Sequence, residues 1–274
     1  DIRPSRGLGD VYKRQNNMSD AQAPMGAPGD IINWPMLKIH YRTDPEAIAA
    51  LLPPGITVGK EPNVNLTVYN FPVPDVPEYG VVTTVNADFD GVEGEYTLGY
   101  GIDQESAIFI SQEMNGQPKY PCEIDYHRIG PMVRAKCTHQ GYTFLEFEGM
   151  SEGPTDPGDE FVQNEWWIKV SRAVSIGGPA TGYDFPPHVV HVASKYGTAW
   201  KENVLGQVVL RDSPWDPLAS KLPMREQLSA YLWWPIFLDR SVTLSKPLDP
   251  EAFLPHADTI SGSRWPGVNG APPK

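Results

Sequence analysis

Ser106-Ala107-Ile108-Phe109-Ile110-Ser111-Gln112-Glu113-Met114-Asn115-Gly116-Gln117-Pro118-Lys119-Tyr120-Pro121 places one lysine on a Gly/Pro-shaped turn behind a short apolar run. The run over 106–111 reads as a buried strand. Gly116 and Pro118 then turn the chain so that Lys119 is aimed back across a sheet. Lysines at strand ends ordinarily lay their stems on apolar surface and keep the ammonium in water. A primary amine held against apolar walls behaves differently: burial disfavours its charged form, and the free amine can attack a ketone to form a Schiff base.

Outward from this turn, 29 prolines and 25 glycines cut the chain into short apolar or alternating runs. Strands are expected over 36–41, 64–71, 81–89, 96–102, 107–110, 132–137, 143–147, 166–170, 206–211 and 241–244. Helices are few. Thr43-Asp44-Pro45-Glu46 resembles a capping box with proline in the first turn, opening a helix that Pro53-Pro54 stops. A second helix is expected within 218–232, interrupted by Pro223. Many strands without βαβ spacing imply a mainly β, antiparallel closed or sandwich-like sheet. Residues 1–30 read as an unstructured leader, its first 17 residues foreign to the protein, and residues 31–274 as one domain.

At 274 residues and 40% hydrophobic content the chain can bury a substantial core. A net charge of −12 and a pI near 4.9 argue against a nucleic-acid partner or an anionic membrane surface. No apolar run approaches the roughly 20 residues of a membrane span, and a cytoplasmic location is expected. The two cysteines, Cys122 and Cys137, are too few for a disulfide framework; Cys122 is either an inert core thiol or part of a pocket wall. His188 and His191 lie three apart in a valine-rich stretch that favours a strand, where they would point to opposite faces rather than share a metal. Zincin and dinucleotide motifs are absent from the sequence, and neither a metal nor a cofactor is expected. Trp233 and Trp234 are adjacent, so at most one of them lines a cavity if both lie on one strand.

The stretch around Lys119 resembles the active-site motif of the acetoacetate decarboxylase superfamily: Gly-Arg-Glu, four variable positions, proline and the Schiff-base lysine. Glu113, Pro118 and Lys119 match, whereas Ser111 and Gln112 stand in place of Gly-Arg. Tyr41-Arg42-Thr43-Asp44-Pro45, Gly91-Val92-Glu93-Gly94-Glu95-Tyr96-Thr97, Asn164-Glu165-Trp166-Trp167-Ile168-Lys169 and Leu222-Pro223-Met224-Arg225-Glu226 resemble further family segments in the same order. The resemblance covers about residues 34–260 and implies a conical, double-layer β-barrel around a central cavity.

Departures from the family pattern shape the expected chemistry. Tyr120 replaces the second lysine of the decarboxylase motif, a neighbouring cation of the kind used to activate such amines. Ungapped alignment puts Trp34 at an expected arginine, and Thr67 and Gly80 at the two acidic pocket positions. On this reading the charged groups that handle a 3-oxo acid are lost and the imine-forming lysine is kept. The pattern is similar to the aldolase-dehydratase branch, which acts on pyruvate and an aldehyde.

Lys119 is then the nucleophile, Tyr79 the proton shuttle and Tyr231 an alternative one, with Glu113 matching the family glutamate. Asn115, Gln117, Tyr120, Trp34 and Arg42 are the candidate substrate-binding residues, Arg42 suiting equally an ion pair with Asp44 or Glu46. The expected partners are a small oxo acid and an aldehyde, with the chain assembled as a homo-oligomer. Two alternatives stand beside this reading: decarboxylation of a 3-oxo acid, and a non-catalytic barrel that binds a small carbonyl compound or lipid.

Overall fold

The computed structural model describes residues 35–71, 77–174, 182–257 and 265. The leader expected over 1–30, and Trp34, lie outside the described residues. The order is β1 (Met36–Arg42), α1 (Pro45–Ala49), β2 (Thr57–Val58), β3 (Asn63–Phe71), β4 (Glu78–Phe89), β5 (Val92–Ile102), α2 (Glu105–Asn115) and β6 (Lys119–Pro121). There follow β7 (Glu123–Ile129), β8 (Met132–His139), β9 (Tyr142–Pro154), β10 (Phe161–Arg172), β11 (Tyr183–Leu210), α3 (Leu218–Lys221), β12 (Glu226–Pro247) and a 3-10 turn at Leu254–His256. No helix among the described residues is long and apolar enough to cross a membrane.

The strands run β10-β5-β4-β3-β1-β12-β11, and a further β10–β11 pairing closes this path into a ring. Strands β9, β8 and β7 continue from β11 as an outer sheet, and β7 comes back across β4 and β5. The great length of β11 makes both layers possible: its first part pairs with β10, its second with β9, and β12 follows it along both. The result is the expected β-rich double-layer barrel. Two pairings depart from the antiparallel expectation, since β5 runs parallel to β10 and to β6.

Period-2 alternation divides each ring strand between two interiors. On β1, Leu37, Ile39 and Tyr41 are fully buried in the interlayer core, while Met36, Lys38 and His40 face the lumen. The outer sheet supplies Val133, Ala135, Cys137, Leu145 and Phe147 to the same core. Full burial of each large aliphatic there contributes about 1.5–3 kcal/mol. Cys122 and Cys137 are buried in this core with no disulfide between them.

Three local expectations are corrected. Residues 107–110 form part of α2 rather than a strand: only Ile108 is buried, and Phe109, Ile110 and Met114 are exposed on one side. A short apolar run has no decisive period, and Gly116 in the left-handed region (φ 66°) ends a helix rather than a hairpin. The helix expected within 218–232 is a single turn, after which Pro223 and the alternating residues from Glu226 begin β12. Asp44 is the N-cap residue of α1 but does not cap it through its side chain; its carboxylate takes the Arg225 guanidinium, with contacts as short as 2.6 Å.

Candidate active site

The end of α2 presents Lys119. A Cβ at Gly116 would lie 2.4 Å from the Ile168 carbonyl oxygen, so a glycine lets the helix terminus sit directly on β10. The Pro118 carbonyl then accepts the Tyr100 N–H at 2.9 Å, and Lys119 registers beside Tyr100 in the parallel β5–β6 pair. Alternation along β6 sends Lys119 into the lumen and Tyr120 outward against His139, with ring centroids 4.8 Å apart.

Lys119 is 7% exposed and its ammonium donates to Glu78 Oε2 at 2.9 Å. The second oxygen of Glu78 accepts the Tyr69 hydroxyl at 2.7 Å. Burial, reinforced by the Glu78 charge, pushes the Tyr69 phenol well above its ordinary pKa, so Tyr69 remains a donor. Gly80 makes room for this contact. It lies opposite Tyr69 on the neighbouring strand, and a Cβ there would come within 2.3 Å of the phenol ring.

These groups face a cavity of about 500 Å³. A second carboxyl group, Glu165, accepts the Tyr100 hydroxyl at 2.7 Å. Burial raises the pKa of Glu165, and the Tyr100 bond offsets that only in part. Burial lowers the pKa of Lys38, with Glu95 and Glu165 pulling the other way, and its ammonium stands 5.3 Å from the centre of the Trp233 ring. Arg240 lies at the mouth over Trp167 and Phe237, 5.7 and 5.9 Å from their centres. The cavity thus combines a desolvated amine, two hydrogen-bonded carboxyl groups and two further cations.

Asn115 and Gln117 line this cavity with Lys119, as does Thr67. Tyr79 does not: between the inward Glu78 and Gly80 it takes the opposite face and packs against the interlayer core, its N–H donating to Asp103 Oδ1 at 2.9 Å. Glu113 is exposed on α2, and its carbonyl accepts the Lys169 ammonium. Arg42 is ion-paired at the surface with Glu226 at 2.7 Å, with neither Asp44 nor Glu46. Tyr231 faces the lumen further along the barrel, where its hydroxyl lies 3.4 Å from His40 Nε2. Of the tryptophan pair, Trp233 lines the lumen and Trp234 the core.

The inferred loss of charge from the pocket is also corrected, because Glu78, Glu165, Lys38 and Arg240 supply it from positions other than those aligned. Glu78 lies two residues before Gly80, on the same face of β4. A one- or two-residue slip in a short alignment was enough to hide it.

A family model described as acetoacetate decarboxylase matches residues 13–248. Acetoacetate decarboxylase from Streptomyces nogalater is 32% identical over 114 residues, 40% of this chain and 46% of that protein. The matched segments thus span less than half the length of such curated relatives. A solved acetoacetate decarboxylase structure superposes with a TM-score of 0.66 at 16% identity, covering 88% of this chain and 99% of the other. The enduracididine biosynthesis enzyme MppR, solved with pyruvate, superposes with a TM-score of 0.59 at 16% identity over 77% of this chain and 87% of that one. With the family model spanning most of its length, the chain belongs to the acetoacetate decarboxylase family.

Proposed function

We propose that the protein is a lyase that works through an imine on Lys119, condensing a 2-oxo acid such as pyruvate with an aldehyde and dehydrating the product. The observation that carries this reading is the Lys119–Glu78–Tyr69 chain, buried in a cavity large enough for a small oxo acid and a partner. Glu78 takes a proton from the Lys119 ammonium, the amine adds to the oxo carbon, and Glu78 returns the proton to the carbinolamine hydroxyl, which leaves as water to give the protonated imine. Glu78, oriented by Tyr69, then removes a methyl proton to leave the enamine. The enamine carbon attacks the aldehyde carbon as Glu78 returns its proton to the aldehyde oxygen. Glu78 then removes the remaining proton on the carbon beside the imine while the new hydroxyl leaves as water with a proton from Glu165. Proton exchange with solvent resets the two carboxyl groups, and a second water hydrolyses the imine to release product and Lys119.

Glu165, whose carboxyl pKa burial raises, is placed to protonate the departing hydroxyl. The amides of Asn115 and Gln117 and the Arg240 guanidinium are suited to the oxo-acid carboxylate. The proton-moving part expected of Tyr79 falls on Tyr69 and Glu78 in this reading. MppR has been solved both with pyruvate and with the condensation product of pyruvate and imidazole 4-carboxaldehyde, a precedent for such chemistry on a similar fold.

Decarboxylation of a 3-oxo acid is the second reading, favoured by the family match and by the retained charges around Lys119. Two assays separate them. Pyruvate methyl exchange with deuterium, followed by NMR, together with an unsaturated product on adding an aldehyde, is expected of the first. Carbon dioxide release from acetoacetate at enzymic rates without pyruvate exchange would establish the second.

A further inference from the structure

The lumen does not end at the Lys119 cavity. The inward positions continue along the strands from Lys38 to His40 on β1, from Thr84 to Asn86 on β4 and from Trp233 back to Tyr231 on β12. They line a second, open compartment of about 380 Å³. Lys38, Glu95, Gln163 and Trp233 border both compartments and form a partition between them.

The charge of the far compartment is distinctive. Lys201, half-buried on β11, makes no ion pair among the described residues, and its ammonium rests 4.4 Å from the centre of the Tyr231 ring. Lys38 faces the same space, with no ion pair at contact distance among the described residues. His40 registers the resulting field: burial first, then Lys38 and Lys201, bring its pKa down to about 4, so its imidazole is neutral. Of the carboxylates nearby, Glu93 pairs with Lys60 at 3.8 Å at the rim, while Glu95 accepts the Thr84 hydroxyl and offsets part of the desolvation of Lys38, which leaves Lys201 as the cation more open to a ligand. Asn86, Asn164 and Thr198 add polar side chains to the same wall.

We propose that the far compartment is an acceptor subsite for an organic anion, in which Lys201 and Lys38 hold the carboxylate of a carboxyl-bearing aldehyde. The aldehyde carbon is directed across the partition towards the enamine. As a statement about substrate class this rests on the reading of Lys119 as the imine-forming residue, whereas anion binding itself does not. The favoured aldehyde is therefore anionic at its far end, and a neutral aldehyde leaves the Lys201 ammonium without an anion at contact distance.

The test uses 4-carboxybenzyl alcohol, which cannot condense, and 4-carboxybenzaldehyde, which can. Calorimetric binding of the alcohol to the full chain and to Lys119→Ala should be similar, weaken about tenfold or more in Lys201→Met, return in Lys201→Arg, and match wild type in Lys136→Met on the outer sheet. With pyruvate present, wild type should prefer 4-carboxybenzaldehyde over benzaldehyde in kcat/KM by a similar factor. Absence of binding to wild type, or a folded Lys201→Met protein that binds as wild type, overturns the proposal. Binding that survives in Lys119→Ala while no pyruvate product forms in wild type would uphold the anion site and refute the chemistry assigned to Lys119.

Discussion

Glu78 Oε2 and Lys119 Nζ meet at 2.9 Å inside the barrel, although 41 residues separate them in sequence and β5 lies between their strands. The pair is buried on both sides, with side-chain exposures of 9% for Lys119 and 8% for Glu78. Each partner is therefore the main compensation for the other's desolvation.

Removing one partner should cost stability as well as activity. Lys119→Ala is expected to destabilise the fold by about 3–5 kcal/mol, because Glu78 is left as a buried, unpaired carboxylate. Adding Glu78→Gln to that variant should recover part of the loss, which denaturant titration of the four proteins would read as a coupling energy. Strict additivity would mean that the two groups do not act as a pair in solution.

Gly80 is expected to be intolerant of even one added carbon. Gly80→Ala drives a methyl into the Tyr69 ring, so the phenol must move off Glu78, at a cost of about 1–3 kcal/mol. The activity loss should exceed that of Tyr69→Phe, which deletes only the hydrogen bond. Equal activity of Gly80→Ala and wild type would show that the Tyr69–Glu78 contact has no part in turnover.

Glu165 sets a pH dependence with a definite sign. Its folded pKa lies above the ordinary value of 4.5, so between the two values the folded protein holds a proton that the unfolded chain releases. This contribution to stability is fully present below about pH 4.5 and is lost as the pH rises through the folded value. Glu165→Gln keeps an acceptor for Tyr100 and removes the titration; its melting temperature should gain on wild type as pH rises from 4.5 to 8, read by thermal scans across that range. A constant difference would mean that Glu165 does not titrate anomalously.

Much of the barrel was legible because half-buried strands write their period into the sequence: Leu37, Ile39 and Tyr41 against Met36, Lys38 and His40 is such a record. Where the period failed, so did the reading. Ile108-Phe109-Ile110 lacks one, and its helix is settled by the close approach of its end to β10, which is a tertiary fact. Lys119 was legible from its turn and its family motif. Its carboxylate partner was not, because choosing between Glu78 and Tyr79 requires knowing which face of β4 meets the lumen, and a one-residue slip inverts the answer. The pairing of Glu78 with Lys119, and of Tyr100 with Glu165, depends on the parallel pairings of β5 with β6 and with β10, which no local pattern encodes.

The imine is tested most directly by trapping it. Incubation with pyruvate, reduction with borohydride, and peptide mapping by mass spectrometry should give a single adduct on Lys119, formed far more slowly in Glu78→Gln and absent in Lys119→Ala. An adduct on Lys38 or Lys201 with Lys119 unlabelled, or turnover that survives in Lys119→Ala, would contradict the account.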